Sequence, residues 1–201
     1  GGTSIPETML FMKKANETLD EVASRDYLEG ILVTEILKMD KPIHGITQIS
    51  KDYDIDLIIM GSHGSSGVEE LLIGSNTEKV VRNSEIPVLV IKKNIPNFNA
   101  SNIVFASDFS DEAKKPFEKL LNFTKLFDSK LHLVTICTPN SFKPTHVSEK
   151  AMNDFVEEFN ITNYTTQIYN DNNIEKGIIN FSNKIYADVI GMCTHGRTGF
   201  A

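Results

Sequence analysis

The feature that most constrains the fold is an internal repeat. Asp56-Leu-Ile-Ile-Met-Gly-Ser-His-Gly-Ser-Ser-Gly67 aligns without gaps on Asp188-Val-Ile-Gly-Met-Cys-Thr-His-Gly-Arg-Thr-Gly199, at an offset of 132 residues. Six of the twelve positions are identical and Ser62 stands on Thr194, and the match extends upstream, with Gly45-Ile46 on Gly177-Ile178 and Ser50 on Ser182. A short run shared together with an upstream helix marks two copies of one structural unit.

The second copy gives the order of elements. Apolar runs at 102–107, 131–136, 164–169 and 187–192 read as strands, and 111–127, 149–160 and 174–185 as helices. Pro116 falls past the first turn of the first of these helices, where it is expected to delay or kink it. Strands that are apolar almost throughout, alternating with helices, imply parallel βαβ units. The first copy adds a fourth strand at 56–60, a helix from about Asn76 and a fifth strand at Pro87–Ile91. The stretch 94–101, with Pro96 and Asn97, reads as a linker.

The repeat divides the chain into 1–93, lacking an opening strand–helix–strand, and 102–201, lacking its last helix and strand. Two complete copies at this offset need more than the 201 residues present. A trimmed chain or an exchange of elements between chains would each account for this. A first copy without its central strand is expected to borrow one or to be partly disordered, because buried unpaired backbone groups are costly.

After the fourth strand of the first copy stand Gly61 and Gly64, then nine residues, then Gly74-Ser75. Glycines let a backbone turn off a strand and approach a ligand with no Cβ in the way. Ser75-Asn76-Thr77-Glu78 has the pattern of a capping box at a helix start. Amides and the positive end of the helix dipole would then converge, which is a phosphate site in outline. The pattern is neither a Walker sequence nor a dinucleotide fingerprint.

With this spacing the chain resembles the universal stress proteins, specifically those with tandem domains, whose nucleotide motif G-x2-G-x9-G-(S/T) is matched by Gly61, Gly64, Gly74 and Ser75. The runs Asp56–Gly64 and Ser84–Ile91 look like that family's fourth strand, loop and fifth strand, and Val104–Ser110 like its opening strand with its aspartate, Asp108. The resemblance implies an α/β fold, an open parallel five-stranded Rossmann-like sheet in the order 3-2-1-4-5, present in tandem with each copy partial. It implies ATP held at its phosphates by Gly61, Gly64, Gly74, Ser75 and the neighbouring Asn76, with Asp108 at the ribose or adenine end, and Mg2+ as an optional companion. It implies association into homo-oligomers through the Pro87–Ile91 edge. The second copy departs from the motif: Cys193 replaces the first glycine and the closing Gly-Ser pair is absent.

Other residues carry weaker signals. His63 and His195 recur at one place, which fits a loop-structuring hydrogen bond better than catalysis. Asp108 also fits a turn before a helix capped by Ser110. Cys137 and Cys193 read as small buried packers in a reduced compartment. Glu69 and Glu70 read as solvated loop charge rather than magnesium ligands. The five histidines and two cysteines show no metal spacing. No nucleophile, strong base or arginine finger stands in the intact loop, Arg197 belonging to the degenerate one, so no catalytic residue is assigned. A net charge of −7 argues against a nucleic-acid partner. No apolar run reaches the roughly 18 residues of a membrane span, and the opening residues lack a signal-peptide pattern. The sequence therefore predicts a cytoplasmic, stress-linked protein that binds ATP as a sensor or ligand-gated scaffold. A dimerisation module without nucleotide and a slow magnesium-dependent ATP hydrolase are the alternatives.

Overall fold

Helix α1 (Ile5–Ala23) opens the computed structural model, which describes residues 5–62 and 74–193. The chain divides into two compact units between Tyr53 and Asp54. In the first unit α1 is followed by a 3-10 turn at Asp26–Leu28, an irregular stretch, and α2 (Pro42–Asp52). Pro42 suits the first helical turn, where no N–H is needed. Met9, Leu10 and Phe11 on α1 are exposed, and Leu32 in the irregular stretch is 94% exposed.

The second unit holds β1 (Ile58–Gly61), α3 (Ser75–Asn83), β2 (Val88–Ile91), β3 (Asn102–Ala106), α4 (Asp111–Leu126), β4 (Lys130–Cys137), α5 (Thr145–Glu158), β5 (Tyr164–Asn170), α6 (Ile174–Lys184) and β6 (Val189–Met192). Its strands form two parallel sheets. β1 pairs with β2, Ile58 opposite Val88 and Gly61 opposite Ile91. The other four pair in the order β5-β4-β3-β6. Counted within the second copy, that order is third-second-first-fourth. Among the described residues no five-stranded sheet forms, and β1 has only β2 beside it. β3, the first copy's nearest source of a central strand, is already flanked by β4 and β6.

Both faces of the larger sheet are buried, which is why its inner strands read as continuous apolar runs. Ile103, Phe105, Leu131 and Leu133 face Phe117 of α4 and Met152, Phe155 and Val156 of α5. Val104, Ala106, Val134 and Ile136 face Phe181 of α6. The first face is a phenylalanine cluster: Phe105–Phe117 and Phe117–Phe155 ring centroids lie 4.8 Å apart. Lys114 ties α4 to α5, reaching Asp111 (2.8 Å) and Glu158 (2.7 Å). Pro116 neither delays nor ends α4, which runs unbroken from Asp111.

The 132-residue offset carries local structure as well as sequence. Displaced by it, α6 coincides end to end with α2. Each helix is followed by a left-handed residue, Tyr186 (φ 53) and Asp54 (φ 49), at equivalent positions.

Candidate functional site

The described motif residues, Gly61, Gly74 and Ser75, gather at the carboxyl end of β1, next to that of β2. Ser62 extends the ladder past Gly61, its N–H donating to the Ile91 carbonyl (2.9 Å). The Gly74 N–H then donates to the Ser62 carbonyl (2.6 Å), pinning the start of α3 against the end of β1. A second pin comes from buried Thr77, whose hydroxyl donates to the Gly61 carbonyl (2.9 Å). Gly61, Gly74, Ser75 and Asn76 are thereby held together. Gly64, with His63, Glu69 and Glu70, lies outside the described residues, as do His195 and Arg197.

The helix start differs from the capping box expected of Ser75. Gly74 is the N-cap, with φ −57 and ψ 142, so the cap position carries no side chain, and Ser75 is the first helical residue. The Glu78 N–H bonds the Gly74 carbonyl (2.9 Å), while the Glu78 carboxylate turns down the helix to accept from Arg82 Nε (3.0 Å). That one-turn ion pair takes the side chain a capping box would need at its other end. Neither Gly61 nor Gly74 has a positive φ, so their backbone angles are open to any residue. The first-turn amides of Ser75 and Asn76 have no intrahelical carbonyl to bond and, with the helix dipole, favour an anion.

At the ends of β1 and β2 lies a shallow cleft of about 230 Å3, lined by Gly61, Ser62, Ile91, Lys92, Lys93 and Asn94. The lysines were missed as site residues because 94–101 and its approach read as a linker. The signal was there: a Lys-Lys pair directly at the carboxyl end of a parallel strand, where α/β sheets bind ligands. Thr77 was missed too, being read only as the interior of a capping box. A larger cavity of about 360 Å3 lies between α5 and β5, lined by Thr145, Glu149 and Gln167 among others, and includes none of the motif residues.

Asp108 stands in the other sheet, just past β3. Its Oδ1 accepts from the Ser110 N–H (3.2 Å) and the Ser110 hydroxyl (2.9 Å). Ser110 occupies the N-cap of α4, yet its hydroxyl is turned to Asp108 and gives no side-chain cap. Between them Phe109 adopts φ 56 and buries its ring against Phe105 and Phe155. This left-handed turn, anchored in the core, sets the direction of Asp108. Among the described residues no hydrogen bond or ion pair links Asp108 to Gly61, Gly74, Ser75 or Asn76. Its neighbour is Cys193, whose thiol is pushed up to about 11 by burial and by the Asp108 carboxylate. Such a thiol stays protonated near neutral pH, which fits a packing role. Both cysteines are free.

Among the described residues no cluster of three or more His, Cys, Asp or Glu could hold a metal ion, and no helix is long and apolar enough to cross a membrane. A polar network does run across the amino ends of the larger sheet. The Asn102 N–H donates to Asp188 Oδ2 (2.8 Å), Asn102 Oδ1 meets His132 Nε2 (3.1 Å), and His132 Nδ1 meets the Thr165 hydroxyl (2.8 Å). The repeated aspartate thereby has a structural role, since Asp188 clamps the first residue of β3.

Comparison with known proteins agrees with this architecture. Residues 3–92 match the model of the universal stress protein family. The chain is 44% identical over 64 residues to a universal stress protein of Methanocaldococcus jannaschii, covering 32% of this chain and 40% of that protein. A second universal stress protein of that organism is 35% identical over 85 residues, covering 42% and 49% respectively. The chain thus spans half or less of the length of these two curated relatives. Among solved structures, a universal stress protein from Archaeoglobus fulgidus superposes with a TM-score of 0.76 at 24% identity, covering 98% of this chain and 71% of that one. A likeness at that identity speaks for the fold alone. Over residues 3–92 the chain thus matches the universal stress protein family.

Proposed function

We propose that the chain binds ATP at the carboxyl ends of β1 and β2, acting in the stress response as a nucleotide sensor or ligand-gated scaffold. The observation that carries the reading is the double pin of Gly74 to Ser62 and Thr77 to Gly61, which fixes the start of α3 to two residues that line the cleft. Phosphate oxygens would take the first-turn amides and the Ser75 hydroxyl, which stands at the first helical position. Gly61, Gly64 and Gly74 would keep side chains out of the way of the phosphates, with Asn76 beside them and Mg2+ as an optional companion. Asp108 would hold the ribose or adenine end in the second copy's counterpart of the site. It completes a pocket only where another segment or another chain supplies a phosphate loop.

The same reading assigns 1–93 and 102–201 to two domains of tandem type, joined by 94–101. In each, the complete sheet would run 3-2-1-4-5. A cytoplasmic location belongs to the same proposal. Equilibrium dialysis with ATP, paired with a phosphate-release assay, tests the reading. The expected result is saturable binding that Gly61→Val weakens at least about tenfold, with negligible turnover. Absence of saturable binding to the unsubstituted chain would overturn it. Magnesium-dependent turnover would favour the hydrolase.

A second reading is favoured by one observation. Among the described residues β2 pairs only with β1, and all four of its residues are half-buried, so an apolar edge is open there to a copy of itself. Homo-oligomers joined along Pro87–Ile91 would cover it, and Leu89→Lys is expected to shift the chain toward monomer in sedimentation.

A further inference from the structure

The cleft at the ends of β1 and β2 contains more charge than the family motif accounts for. Lys92 and Lys93 follow β2 directly and line the cleft with Gly61 and Ser62. They are tied to the start of α3 by a short relay. The Ile91 carbonyl holds the Ser62 N–H, and the Ser62 carbonyl holds the Gly74 N–H. Two cations therefore line a small opening whose wall residue Ser62 holds the start of α3 by one hydrogen bond.

Elsewhere in this acidic chain several basic side chains are engaged. Lys114 pairs with Asp111 and Glu158, Arg82 with Glu78, Lys150 with Asp154, and Lys119 donates to the Glu85 carbonyl. Lys92 and Lys93 are exposed, and no carboxylate among the described residues pairs with either. An adjacent pair of uncommitted ammonium groups at the end of a half-buried strand leaves a local positive spot in a chain of net charge −7. A long-range field would repel a polyanion, so affinity for one has to come from close charges.

We propose that Lys92 and Lys93 are the phosphate-counting element of this cleft: they engage the outer phosphates of a nucleotide whose inner phosphate sits on the α3 amides. The proposal rests on the nucleotide reading above and adds to it a specificity for the triphosphate over the monophosphate and nucleoside. The helix amides are fixed and few, whereas lysine ammonium groups on flexible stems reach phosphates at varied distance as point charges. Discrimination by phosphate number is then a property of residues after the fifth strand rather than of the glycine loop.

The test is isothermal titration of ATP, ADP, AMP and adenosine into the full chain and into K92Q/K93Q, at low and at physiological salt. The expected result is a ladder of affinity that rises with phosphate number and flattens with salt. In K92Q/K93Q the ATP affinity should fall about tenfold while adenosine changes less than about twofold. K92E/K93E should invert the ladder. Both variants alter exposed side chains, and an unchanged thermal midpoint checks that they fold. An unchanged ladder in K92Q/K93Q would overturn the role of the lysines and leave nucleotide binding standing. Failure of the unsubstituted chain to bind any of the four ligands would overturn the nucleotide reading and this one with it.

Discussion

A methyl group added at Gly177 would lie 2.6 Å from Ile136 Cγ2 and 3.1 Å from Asp171 Cβ, because α6 rests directly on the sheet there. Its counterpart at the repeat offset, Gly45, has only the Lys38 Cδ, at 3.9 Å. Gly177→Ala is therefore expected to destabilise by about 1–3 kcal/mol through overpacking. Gly45→Ala should be neutral or stabilise by about 0.5–1 kcal/mol, as a helix-interior glycine relieved of its entropy cost. Urea unfolding of the two variants checks the contrast. His132 gives a pH prediction. The Asn102 amide oxygen only accepts, so Nε2 carries the proton and Nδ1 takes the Thr165 hydroxyl. Burial, with repulsion from Lys130, holds the imidazole below its ordinary value of 6.5. The unfolded chain binds that proton more readily, so the stability from neutral His132 is full above about pH 6.5 and is lost as pH falls through the depressed value. The urea midpoint should fall between about pH 7.5 and 5 in the native chain, and fall less in His132→Asn. Residue roles of this kind were hidden in the sequence. Ser75 looked like a cap because its spacing to Glu78 is right, and only the Glu78–Arg82 pair shows why the box does not close. Asp188 was legible as a repeated residue, but its clamp on Asn102 depends on two strands meeting across 86 positions.

Elements were legible where packing and sequence period agree. Strands β3 and β4 are buried on both faces, so Ile103–Ala106 and Leu131–Ile136 announce themselves as apolar runs. Helix α4 shows its Ala113, Phe117 and Thr124 stripe, and the fixed φ of Pro116 fits inside it without moving its start. The first unit was not legible in this way. Met9-Leu-Phe-Met12 is a continuous apolar run, yet it lies on one helix with three of its residues about two-thirds exposed. A run with no periodicity gives no face to assign. At the site, the element that matters is α3, and its position rests on Thr77. Thr77→Val keeps the shape but removes the donor, leaving the Gly61 carbonyl without that partner, at a cost of about 1–3 kcal/mol. The expected outcome is a lower thermal midpoint, together with weaker ATP binding because the amides of α3 lose their aim. The turn before α4 is subject to a matching prediction: Phe109→Ala should cost about 3–5 kcal/mol by emptying its place among Phe105 and Phe155.

At the scale of the whole molecule, the repeat was the most legible fact and the sheets the least. The offset of 132 residues finds α2 from α6 to the residue. It does not say how strands sort, because sorting depends on which strands are present to pair. β3 has β4 and β6 as neighbours, so β1 and β2 stand as a separate pair. Gly61, Gly74, Ser75 and Asn76 consequently come together on one sheet and Asp108 on the other. The phosphate half of the proposed site is thus built from a single strand–helix–strand unit. That half is open to direct observation. In a 15N-resolved titration of the full chain with ATP, the amides of Gly74, Ser75 and Asn76 should shift progressively and saturate together, with Lys92 and Lys93 following. Saturable shifts confined to other parts of the chain, or none at all, would contradict the assignment of the α3 amino terminus as the phosphate site.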